Sequence, residues 1–137
     1  MPAEAAVAPS LAIRLALAPP AKRDRFIREL EPIDAYRLLW EWRFWARPNQ
    51  LAPTDPEWVF WLILAGRGFG KSRLAAEWVR ERVDSGEAKN IGIIGPSIGD
   101  VRDTMIGGTG AGSGLLDVFP PHQKPQWEAS KRLVTFH

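Results

Sequence analysis

The stretch WLILAGRGFGKSR, Trp61 to Arg73, joins an apolar run to a glycine-rich turn and then to residues with helical spacing. Its pattern is that of a phosphate-binding loop. Backbone N–H groups reach an anion most easily where no side chain competes, and Gly66, Gly68 and Gly70 supply that permissive backbone. The following helix adds the positive end of its dipole, about half an elementary charge. In that pattern Lys71 places a point charge on the outer phosphates and the Ser72 hydroxyl is a ligand for Mg²⁺. The strict form is G-x-x-x-x-G-K-[ST], and here Ala65 stands at its first position; alanine is small, so the departure is mild. With Phe69 completing it, Ala65 to Ser72 is the expected site for ATP and Mg²⁺. Arg67 is a second cation in a loop already charged by Lys71, which points to an anionic partner such as transferred phosphate; a structural salt bridge is the alternative.

The flanking sequence gives this loop its expected setting. Val59 to Ala65 (VFWLILA) is an unbroken apolar run of the kind found in strands buried on both faces. Ser72 to Val83 has helical periodicity, with Arg80, Glu81 and Asp84 placed to face water and Ser85-Gly86 as the stop. Ile91 to Gly95 (IGIIG) reads as a second buried strand and Arg132 to Phe136 (RLVTF) as a third, with a short helix at Asp100 to Ile106 and a glycine-rich loop at Gly107 to Gly114. Strand, loop, helix and strand make a βαβ unit. The expected fold class is therefore α/β, a P-loop NTPase core with a mostly parallel sheet and flanking helices, incomplete at three strands.

Upstream, Met1 to Pro20 reads as a weakly ordered Ala/Pro-rich leader, and residues 21–137 as N-terminal helices plus a partial ATPase domain. Arg14 interrupts the apolar stretch Leu11 to Pro20, which is too short for a membrane span. Lys22 to Ala46 is helical in pattern, divided by Pro32. Its basic residues alternate with Asp24, Glu29 and Glu31, which favours a solvated face over a DNA-binding one. Trp40, Trp42 and Trp45 favour packing over base stacking.

Composition narrows the chemistry. With 45% apolar and 25% charged residues the 137-residue chain has globular composition, and its net charge of +2 is too mild to identify a polyanionic partner. There is no cysteine, which excludes disulfides, thiolate catalysis and cysteine-bound zinc; a reducing cytoplasm fits. His122 and His137 lack metal-site spacing.

Several motifs together resemble the large subunit of phage terminases, the ATP-driven motors that package DNA into capsids. They are AGRGFGKSR (Ala65 to Arg73), FWARPNQLAP (Phe44 to Pro53) followed by Trp58 and Trp61, AAEWVR (Ala75 to Arg80), IGIIGPSIGDVRDTMIGG (Ile91 to Gly108), SGLL (Ser113 to Leu116) and KPQWEASKRLVTF (Lys124 to Phe136). The resemblance runs from Trp42 onward and is nearest to terminases of tailed phages, prophages and gene transfer agents. It implies that Gln50 reads the adenine, that Lys71 and Ser72 hold phosphate and Mg²⁺, and that Arg67 is the loop arginine acting with Lys71 in catalysis. It also implies double-stranded DNA, a small terminase subunit and a portal protein as partners, a homo-oligomeric ring in the full-length motor, and the cytoplasm of a bacterial host. An Asp-Glu pair after an apolar run, needed for hydrolysis, is absent, and Leu115-Leu116-Asp117 is followed by Val118. These 137 residues are also expected to lack the family's nuclease domain. The expectation is a truncated, split or decayed motor segment that binds nucleotide weakly and does not turn it over alone. The competing readings are another P-loop enzyme, kinase- or helicase-like, and a non-catalytic nucleotide-binding interaction module.

Overall fold

Proline and glycine punctuate this chain, and the helices follow that punctuation. The computed structural model describes residues 8–54, 57–108 and 112–136. The expected leader therefore lies partly outside the described residues, as do parts of the Thr54 to Pro56 turn and of the Gly107 to Gly114 loop. The chain falls into two units, Met1–Trp61 and Leu62–His137.

The first unit is helical. Ser10 caps α1 (Leu11–Ala16), its Oγ accepting from the Ile13 N–H at 3.2 Å. Pro20 opens α2 (Pro20–Glu29), and Pro32 opens α3 (Pro32–Leu39), each where its missing N–H costs nothing. The short α4 (Trp42–Trp45) packs against α1, and a 3₁₀ turn follows at Pro48–Gln50. Ser10, Ala46 and Gln50 are the buried residues described in this unit. Trp40 and Trp42 are half-buried, whereas Trp45 is exposed, with its Nε1 donating to the Leu38 carbonyl at 2.8 Å.

The second unit is built on α5 (Lys71–Asp84), which buries Leu74, Ala76, Glu77 and Val79. Ala76 and Val79 meet Leu115, Val118 and Phe119, with Trp78, Ile91, Ile93, Val134 and Phe136 against this cluster. The helix ends at the predicted place: Ser85 is its C-cap and Gly86 takes a φ of +71°. Asp100–Ile106 winds as a π-helix and Leu115–Asp117 as a 3₁₀ turn. A hairpin pairs β1 (Gln126–Glu128) with β2 (Leu133–Thr135), antiparallel, with Trp127 opposite Val134.

That hairpin overturns the expected fold class. The chain is mostly helical, and the sheet of the described residues has two antiparallel strands rather than a parallel P-loop core. The expected strand Arg132 to Phe136 is present as β2, but its partner is the segment after Pro125. Val59 to Ala65 and Ile91 to Gly95 join no ladder. A strand buried on both faces requires covering layers above and below. Here Phe60, Leu62, Leu64 and Ile94 are between 78% and 90% exposed, so each run is covered on one side at most.

The Gly107 to Gly114 loop has a narrow neck. A Cβ placed on Gly114 would collide with the backbone of Gly108 and Gly107, and one on Gly108, where φ is +70°, would strike Asp117. Asp117 Oδ2 accepts from the Gly114 N–H at 3.2 Å and closes the neck. Gly114→Ala should therefore lower unfolding stability by about 1–3 kcal/mol, the usual overpacking cost. Gly92→Ala, whose added methyl meets nothing within 4 Å, is the control, and urea unfolding compares the two.

Candidate functional site

The turn before α5 is shaped by its glycines. Gly68 and Gly70 have φ of +82° and +91°, values natural only to glycine, and Gly70 is the N-cap of α5. Leu74 N–H donates to the Gly70 carbonyl at 2.9 Å, so the helix begins immediately after the turn. The N–H groups of its first turn, Lys71, Ser72 and Arg73, have no partner within the helix. That first turn holds no acidic side chain. Added methyls at Gly66 or Gly68 would meet nothing within 4 Å, so the backbone there borders open space.

Lys71 folds back over the loop it closes. Its Nζ donates to the carbonyls of Ala65 at 2.8 Å and Gly66 at 2.9 Å, which ties the helix start to the loop entry. Phe69 N–H donates to the Gly66 carbonyl at 3.4 Å, a weaker clasp inside the same loop. An ammonium has three donors, and two carbonyls leave one for an anion. Ser72 lies one residue on, exposed. Arg67 is exposed too and makes no salt bridge among the described residues, so the structural alternative for this cation has no counterpart in the loop.

These features fit a phosphate group: a helix N-terminus whose first turn holds no acidic side chain, preceded by a glycine-rich turn and accompanied by two exposed cations. For Mg²⁺ the chain offers the Ser72 hydroxyl. No group of three or more His, Asp or Glu side chains is placed to hold a metal among the described residues. Mg²⁺ held mainly by phosphate oxygens and water needs no such cage.

Gln50, by contrast, belongs to the first unit, while the loop from Ala65 to Ser72 belongs to the second. It is 7% exposed, and its Oε1 accepts from the Arg47 N–H at 3.0 Å, closing its own 3₁₀ turn.

One buried cluster escaped the sequence reading. The Glu77 side chain is 1% exposed, and Arg73 approaches its Oε1 with Nε at 2.8 Å and Nη2 at 2.6 Å. Arg80 Nη1 lies 3.3 Å from Oε2. The same arginines anchor the rest of the unit: Arg73 Nη1 donates to the Gly112 carbonyl at 2.7 Å and Arg80 Nη1 to the Val118 carbonyl at 2.6 Å. Arg80 thus turns inward, with 15% of its side chain exposed, instead of facing water. The signal was present as spacing, since Arg73 and Arg80 stand at i−4 and i+3 from Glu77 and share its face. The cluster fixes the helix that carries Lys71 and Ser72.

Comparison with protein-family models, with curated proteins and with solved structures finds no match to this chain. No described helix is long and apolar enough to cross a membrane.

Proposed function

We propose that this chain binds the triphosphate of ATP, with Mg²⁺, on the loop from Ala65 to Ser72, as the nucleotide-holding segment of a terminase-like DNA-packaging motor. The observation that carries the binding is the left-handed turn at Gly70 delivering the α5 N-terminus and the Lys71 ammonium to one open loop. The loop N–H groups and the first turn of α5 orient the phosphates, Lys71 neutralises them, and Arg67 meets the outermost one. Ser72 is the side chain of this loop that would hold Mg²⁺. Magnesium supplies charge neutralisation when bound. Gln50 as adenine reader, and DNA, a small subunit, a portal protein and a ring of copies as partners, rest on the sequence resemblance alone.

Holding is separated from hydrolysis in this reading, because no Asp-Glu pair follows an apolar run in the chain. Hydrolysis needs a group that orients the attacking water. Incubation with radiolabelled Mg-ATP, rapid desalting and chromatography of the retained nucleotide tests both halves. Retained label recovered as ATP supports the proposal. No retained label refutes the binding, and steady release of ADP abolished by Lys71→Ala refutes the lack of turnover.

A further inference from the structure

Two features of the chain are complementary and are left unmatched within it. The first is an acceptor. A cavity of about 1180 Å³ is lined by Val79 and Val83 of α5, by Ile93 and Ile94, and by Val134 and Phe136 at the β2 side of the hairpin. It exceeds the roughly 300–1,000 Å³ typical of small-molecule sites. Two of its walls are strand-like: Ile91 to Gly95 joins no ladder, and β2 is paired through β1 alone among the described residues. Backbone N–H and C=O groups along such edges are templates for an added strand.

The second feature is a donor. From Trp61 to Ala65 exposure alternates with a period of two, the signature of extended chain. Trp61, Ile63 and Ala65 are half-buried, whereas Phe60, Leu62 and Leu64 are 90%, 78% and 86% exposed. The exposed face is wholly apolar, and the segment carries no charge or proline to blunt it. Phe60 to Leu64 is as long as Ile91 to Gly95, about 16 Å at strand rise.

We propose that two copies of this chain associate by strand donation. Phe60 to Leu64 of one copy enters the cavity of the other, pairs with the edges of Ile91 to Gly95 and β2, and lays Leu62 and Leu64 on the apolar floor at Val79 and Val83. The occupant is a second copy because the donor's exposed apolar face and its length match the acceptor within one sequence. This contact uses neither Lys71 nor Ser72 and is independent of nucleotide.

Sedimentation of the full chain over a concentration series, with Leu64→Lys as the variant, tests the association. Leu64 is exposed, so the lysine leaves the isolated copy folded, which circular dichroism checks. A reversible dimer weakened at least tenfold by Leu64→Lys is the expected result. The cysteine-free sequence permits a second test that reads the contact itself. Leu62→Cys and Ile94→Cys chains, mixed and treated with a short bis-maleimide, should cross-link between copies, and adding Leu64→Lys to the Leu62→Cys chain should suppress that cross-link. A monomer at every concentration, which leaves the cavity to a strand from another protein, overturns the proposal. So does a dimer indifferent to Leu64→Lys or one lacking the Leu62–Ile94 cross-link.

Discussion

Glu77→Ala should cost about 3–5 kcal/mol of unfolding stability, the usual result of removing one partner from a buried ion pair. The alanine leaves Arg73 and Arg80 flanking a site from which the carboxylate has gone, while Arg73 keeps its Gly112 contact and Arg80 its contacts to Val118 and Asp84. Against a typical total of about 5–15 kcal/mol, this removes a large share of the folded state's margin. The contrast is Glu29→Ala on α2. Glu29 pairs with Arg25 at 2.8 Å, but the two side chains are 62% and 76% exposed, so its loss should cost less than about 1 kcal/mol. Urea unfolding of both variants checks the pair. Equal effects would mean that the Arg73–Glu77–Arg80 cluster does not hold α5 in place.

Lys71→Ala should weaken Mg-ATP binding by about 10–100-fold, equivalent to the roughly 1.5–3 kcal/mol of a hydrogen bond to a charged group. Its effect on stability should be smaller, because the side chain is exposed and its two carbonyl contacts lie at the surface. Calorimetric titration beside urea unfolding separates the two effects. Binding unchanged by the substitution would remove Lys71 from the site. Binding lost together with folding would reduce the lysine to a clasp between loop and helix.

Local backbone chemistry made much of the fold legible. Pro32 marks the α2–α3 break, Ser85-Gly86 the end of α5, and the glycines of Gly66 to Gly70 the turn into that helix, since each rests on a few dihedral angles set by neighbouring residues. What could not be read was pairing. VFWLILA and IGIIG have strand composition, but a strand is completed by neighbours elsewhere in sequence, and composition does not report whether those neighbours exist. Both segments therefore looked like members of a parallel sheet, while the one ladder described joins β1 to β2.

The candidate site divides along the same line. The loop from Ala65 to Ser72 is contiguous, and its glycine conformations and lysine clasp follow from its own residues. Glu77 looked like an ordinary polar helix position because its setting is made in the fold, where the arginines paired with it reach the Gly112 and Val118 carbonyls far along the chain. Gln50 carries no local mark of a ligand contact, and its amide oxygen is engaged by Arg47 within its own turn.

Thermal unfolding with and without Mg-ATP tests the central claim most directly, since any ligand that binds the folded state alone must stabilise it. At one hundred times its dissociation constant Mg-ATP should add about 2.7 kcal/mol. For a chain of this size that corresponds to a rise in midpoint of roughly 10 °C. Phosphate recognition at Ala65 to Ser72 predicts this rise with ATP and little change with adenosine. A midpoint unmoved by millimolar Mg-ATP, or moved equally by adenosine, would contradict it.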